Sequence, residues 1–199
     1  MLEQFISKDR INAECLVGVL QSQPICVNLF HLERAASDDE IIVSEQVITS
    51  LFCRFAGRSP NYIETESNDP AIEYNQRSVG IPLSDVVWKV PQSTGKGPLQ
   101  TYKYCFLAVD AVEWLCDFTS IIGRDEAGEM AAHFARFGLI QLLSDRRKMS
   151  DSIVIFTVRG TTATGPDSAV ETQGEFRDTA KAVYHVTEKG RKVAQWTDD

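Results

Sequence analysis

The chain has 199 residues, 43% of them hydrophobic and 24% charged, with a net charge of -8. These proportions exclude wholesale disorder and fibrous folds, and the length suits one ordinary domain with an extension. The acidic balance argues against a whole-surface nucleic-acid binder, which needs a basic footprint.

Residues 1–78 hold 12 of the 28 acids but only 6 of the 20 bases, so the acidity is concentrated in the first part of the chain. The opening stretch, with Glu3, Lys8, Asp9 and Arg10, lacks the apolar segment of a signal peptide. No apolar run approaches the roughly 18 residues that cross a bilayer. The five cysteines are therefore read as free thiols in a reducing compartment, and the chain as soluble and intracellular.

Two short apolar runs, 16–20 and 25–30, fit a strand or a buried helix equally well. Ile41, Ile42, Ile48, Leu51, Phe52 and Phe55 fit one amphipathic helix over 40–55, with Asp38, Asp39 and Glu40 capping its N-terminus. A polar, Pro-punctuated stretch from Ser59 to Pro70 reads as a linker. Residues 86–90 and 99–106 are rich in β-branched and aromatic side chains and predict a hairpin with a long 91–98 loop. Strand alternation places Tyr102, Tyr104 and Phe106 on one face, and Lys89 with Val87 on a face of its own. Ala111, Val112, Leu115, Phe118 and Ile122 recur at helical spacing over 109–122, with Trp114 widening the stripe. A second helix after Gly123 turns Ala127, Met130, Ala131 and Phe134 inward and stops at Gly138. Strands follow at 139–143 and 153–158, then a small-residue loop at 160–174, a strand at 182–186 and a helix at 188–196.

Catalytic and metal motifs are absent. No cysteines are spaced as a zinc knuckle or near a histidine at ligand spacing. His31, His133 and His185 are scattered, with His133 expected to be a partly exposed helix residue. Gly95-Lys96-Gly97 lacks the spacer and Ser/Thr of a P-loop and reads as a hairpin tip. Neither a nucleophile elbow nor a His-Glu-x-x-His occurs. The expectation is a protein that is not an enzyme and carries no cofactor or metal.

Gly80-Ile81-Pro82-Leu83-Ser84-Asp85, Thr101-Tyr102-Lys103-Tyr104-Cys105-Phe106, Asp110-Ala-Val-Glu-Trp114-Leu115, Arg124-Asp-Glu-Ala127 and Phe137-Gly138-Leu139-Ile140 follow one another in order. Together they resemble the DEP domain of signalling proteins over about residues 79–159. The tail, Ala182-Val183-Tyr184-His185-Val186-Thr187-Glu188-Lys189-Gly190 with Val193 and Trp196, resembles the segment closing that domain in fungal regulators of G-protein signalling. The resemblance implies an α+β, winged-helix-like domain with a hairpin arm, whose core holds Phe106, Trp114, Leu115, Phe134 and Leu139. It also requires a helix before Gly80, for which 70–78 is the available segment. The expected division is an acidic extension or partial first DEP-like unit at 1–58, a linker or first helix at 59–78, and the domain at 79–199.

By the same resemblance the function is non-catalytic. The chain is expected to be the targeting half of a G-protein regulator, without the GTPase-accelerating bundle, bringing it to a receptor tail, another signalling protein or the inner plasma membrane. A DEP module of a small-GTPase regulator is one alternative. A winged-helix DNA binder is another, but 127–138 offers only Arg136 against Glu129, so nucleic acid is not expected. Lys89, Lys96 and Lys103, on a stretch without acids from 86 to 109, are the candidate contacts for a weak anionic membrane interaction. Oligomeric state is not legible.

Overall fold

The computed structural model describes residues 29–65, 67–92, 95–145, 155–159, 171–178 and 180–197, without the side chains of 88–97, 144–145, 155–159 and 171–175. The run 16–20 and most of 25–30 lie outside the described residues. The elements are α1 (Glu45–Ala56), α2 (Pro70–Ser78), β1 (Ser84–Gln92), β2 (Gly95–Leu107), α3 (Ala108–Phe118) and α4 (Arg124–Arg136). They continue as β3 (Ile140–Asp145), β4 (Ile155–Arg159), β5 (Glu171–Glu175), β6 (Ala182–Val186) and α5 (Glu188–Val193). Four antiparallel strands form a sheet in the order β1-β2-β6-β3, and β4–β5 is a separate two-stranded ribbon against α4. The fold is α+β.

α1 starts later than its apolar pattern suggests. Its cap is Ser44, whose Oγ accepts from Val47 N at 3.2 Å, so Asp38–Glu40 do not cap it. Those acids form a turn instead: Glu40 N donates to Asp38 Oδ1, and Ile41 bridges back to Arg34. Ile42 is left exposed. The remaining apolar residues, Ile48, Leu51, Phe52 and Phe55, are fully buried.

Phe55 meets Phe106 and Trp114 edge-on at 5.5 and 5.4 Å and Phe134 at 5.2 Å. α1 and the 79–199 region thus contribute to one core. Residues 30–34 are stitched on as well. Phe30 N donates to Phe118 O, and Arg34 makes two 2.7 Å hydrogen bonds to the Glu126 carboxylate. That charge-assisted pair holds the Glu126 carboxyl below the usual carboxylate range.

The supposed linker is also tied down. Asn61 Nδ2 donates to Gln76 O and Gly80 O, at 2.9 and 2.7 Å. Residues 70–78 form a regular helix, with Pro70 in its first turn and Asp69 capping Ala71 N at 2.9 Å. α2 buries none of its own residues, whereas α1 contributes Phe52 and Phe55 to the core. It is held from below, by Trp114 Nε1 donating to Arg77 O at 2.8 Å and by the Tyr74 ring 4.9 Å from Phe118.

Two glycines allow α1 to approach the strand region. Gly57 lies at φ +78°, and a Cβ there would strike the Val79 carbonyl; one on Gly80 would come within 2.8 Å of Ala56 O. Their contact lets Ile81 N donate to Phe55 O at 2.7 Å.

The hairpin loop is shorter than expected, because the strands continue to a Gln92–Gly95 pair. A register slip between Lys89 and Pro91 accommodates the prolines, which cannot donate to a ladder. A second slip lies between Ser84 and Val86, and on the partner strand Tyr104 takes φ +61°. That bulge breaks the alternation expected for Tyr102, Tyr104 and Phe106, so the consecutive residues Cys105 and Phe106 are both buried.

α3 ends at Phe118, leaving Ile122 79% exposed and outside the stripe assigned to it. Residues 171–174 of the expected loop are strand, paired with β4. β6 spans 182–186 as predicted, with Ala182, Tyr184 and Val186 buried. α5 stops at Val193, short of Trp196. Thr187 caps it by accepting from Gly190 N and itself donates to Gly138 O. Gly190 is required because a Cβ there would collide with the Leu139 carbonyl.

Phe106, Trp114, Leu115, Phe134 and Leu139 are all buried. His133, expected to be partly exposed, is 2% exposed with Nδ1 unpartnered. Burial, with nearby Arg136, pushes its imidazole down to about 4. The unfolded chain takes up this proton below about pH 6.5, while the native state resists it until about pH 4. Stability is therefore present above pH 6.5 and lost as pH falls through that window, by up to about 3 kcal/mol from this group. The expected result is a urea midpoint that drops from pH 7 to pH 5, with a shallower drop in His133→Leu. An equal pH slope in the variant contradicts the assignment.

Candidate interaction surface

The hairpin arm is open to solvent on its return strand, where Pro98, Leu99, Gln100 and Thr101 are all exposed. Val87 pairs with Thr101 and Lys89 with Leu99, so Val87 and Leu99 are diagonal neighbours across the strands. Val87 is 58% and Leu99 66% exposed, a level that leaves most of both side chains in water. Lys103, two residues beyond Thr101, is exposed too. The register sets Lys89 opposite Leu99 and Lys96 opposite Pro91, which spreads the three lysine positions along the arm rather than clustering them. The side chains of Lys89 and Lys96 lie outside the described residues.

The root of the arm is clamped. Tyr62 Oη donates to Asp85 Oδ1 at 2.6 Å and accepts from Tyr104 N at 3.1 Å. Burial and the Asp85 carboxylate push the Tyr62 phenol above its ordinary range. The Tyr104 ring lies 5.4 Å from Trp196, with the Arg191 guanidinium over its face. Trp196 Nε1 in turn donates to Gly57 O at 2.9 Å. Sequence reading missed Tyr62 because it sits in polar chain taken for a linker; the only local signal was a lone aromatic among polar residues.

A groove of about 820 Å³ lies beside this clamp, walled by Phe30, Arg54, Arg58, Pro60, Tyr62 and Val79, among others. No three His, Cys, Asp or Glu residues converge as a metal site among the described residues. The described thiols Cys53, Cys105 and Cys116 are free, and all are pushed up by burial, Cys105 to about 11, which keeps it a poor nucleophile. No helix of the described residues is long and apolar enough to cross a membrane.

Residues 89–158 match the DEP family, the domain found in Dishevelled, Egl-10 and Pleckstrin. That span contains a DEP domain, which supports a signalling role. Over 206 aligned residues it is 26% identical to the developmental regulator flbA of Emericella nidulans. That similarity covers 98% of this chain and 24% of the relative, so the chain spans about a quarter of the relative's length. No solved structure matches. The family match opens inside β1 and closes inside β4, so α1, which supplies much of the core, lies outside it.

Proposed function

We propose that the chain is a non-catalytic targeting module in G-protein signalling. It brings a regulator to a receptor's cytoplasmic tail or to the inner face of the plasma membrane, with the hairpin arm as the membrane contact. The observation that carries this reading is the exposed Val87–Leu99 pair, on an arm with three lysines and no acid from residue 86 to 109. A hairpin meant only to be solvated has no use for two neighbouring apolar side chains in water.

Each lysine near an anionic leaflet contributes about 1 kcal/mol. Three give roughly a hundredfold enrichment at about 1.4 kcal/mol per decade. That is too weak for stable anchoring and is screened by salt, so a protein partner supplies the rest of the affinity. The expected result is weak, salt-sensitive co-sedimentation with phosphatidylserine vesicles. Replacing Lys89, Lys96 and Lys103 together with Glu should abolish it and leave the melting temperature nearly unchanged. Undiminished sedimentation of the triple variant would remove the arm from the membrane. Pull-downs on receptor tails against small GTPases separate this reading from a role with small GTPases.

A further inference from the structure

The groove between the C-terminal ends of α1 and α2 carries charge of one sign. Arg54 and Arg58 line it, and among the described residues no carboxylate does. Arg54 is partly buried, with its guanidinium 5.4 Å over the Trp114 ring and Nη1 donating to Ser78 O at 2.5 Å. One edge of a fixed fork is therefore spent on the protein, and the other donors remain. Arg58 is exposed and has no hydrogen-bond or ion-pair partner among the described residues.

Two helix C-termini meet here, each equivalent to roughly half a negative charge. Two guanidinium groups exceed that, leaving the groove net positive on a chain of net charge -8. Three of the other polar side chains are occupied: Asn61 holds two backbone carbonyls, the Tyr62 hydroxyl is bound to Asp85, and Ser78 Oγ donates to Asn75 O. Phe30, Pro60 and Val79 supply apolar wall, with Val79 60% exposed. The volume, about 820 Å³, is that of a site for a ligand far larger than a simple anion.

We propose that this groove binds an extended peptide of a partner protein through one acidic side chain, a carboxylate or a phosphorylated hydroxyl. Arg54 and Arg58 hold the anionic oxygens, and flanking apolar residues lie against Phe30, Pro60 and Val79. The site is separate from the lysine face of the arm and stands whether or not the arm touches a membrane.

The test titrates the full chain with a synthetic Val-Leu-Asp-Leu-Val peptide, its phosphoserine counterpart, its Asn counterpart, inorganic phosphate, and phosphatidylserine vesicles. The acidic and phosphorylated peptides should bind and shift the amide resonances of Arg58, Ser59, Asn61, Tyr62, Ser78 and Val79. The Asn peptide should bind about tenfold more weakly, the loss of one charge-assisted hydrogen bond. Arg58→Glu and Arg58→Ala, at an exposed position, should fold normally and lose a similar factor for the acidic peptide. The triple lysine variant should bind the peptide as the parent does, which keeps a failure of the arm distinct from a failure of the groove. Equal binding of the Asn peptide, unchanged binding by both Arg58 variants, or phosphate alone binding as tightly as the peptides would overturn the proposal. Vesicle binding lost in Arg58→Glu, with no peptide binding in the parent, would assign the groove to lipid and overturn it equally.

Discussion

Trp114→Ala is expected to lower the melting temperature by roughly 10 °C or more, or to abolish soluble expression. Trp114 is fully buried, edge-on to Phe55 at 5.4 Å and 5.1 Å from Phe118. Truncation removes the transfer energy of the indole and leaves a cavity, together about 3–5 kcal/mol. A domain has only about 5–15 kcal/mol in total.

Trp114 also has a second role, because its Nε1 holds the Arg77 carbonyl at 2.8 Å and Arg54 lies over its face. Trp114→Phe retains most of the ring volume but loses that hydrogen bond, at about 1 kcal/mol. It should therefore loosen α2 while the core survives, visible as faster amide exchange confined to residues 71–78. A Trp114→Ala variant that melts like the parent would show that the indole does not hold this core together.

Phe55→Ala should be as damaging, about 3–5 kcal/mol by the same transfer and cavity reasoning. Its ring touches those of Phe52, Phe106, Trp114 and Phe134, so no single neighbour can move in to fill the gap. A stronger version removes the element altogether. A chain beginning at residue 59 lacks α1 and exposes the inner faces of Trp114, Phe106 and Phe134 to water. It should show no cooperative thermal transition and should bind a dye for exposed apolar surface. A cooperatively melting 59–199 fragment would show that α1 is an appendage and that the domain closes without it.

The elements whose patterns are purely local were legible in the chain. α4 follows from Ala127, Met130, Ala131 and Phe134 at helical spacing with Gly138 as the stop, at φ +69°. β6 follows from alternating Ala182, Tyr184 and Val186. The ordered motifs around Trp114 were enough to point to the DEP resemblance.

Elsewhere the pattern showed that a residue avoids water but not what it avoids water against. The stripe of α1 announced a buried face, yet only the tertiary structure reveals that its partners are α3, α4 and β2. Ile42 and Ile122 extended two helical stripes in sequence, but the helices begin at Glu45 and end at Phe118, and both isoleucines lie in water. Helix ends are set by capping and by the path of neighbouring chain, which periodicity does not record.

The interaction surfaces were the least legible part. The arm's lysines could be read from composition, whereas the groove combines Arg54 at the end of one helix, Arg58 just after it, Pro60 in an apparent linker, and Val79 after another helix. What brings them together is the crossing of Gly57 and Gly80, two residues without side chains, far apart in the chain and with no signal in hydrophobic pattern. Local chemistry writes the elements; the close approach of distant backbone, which only the folded chain makes, builds the site.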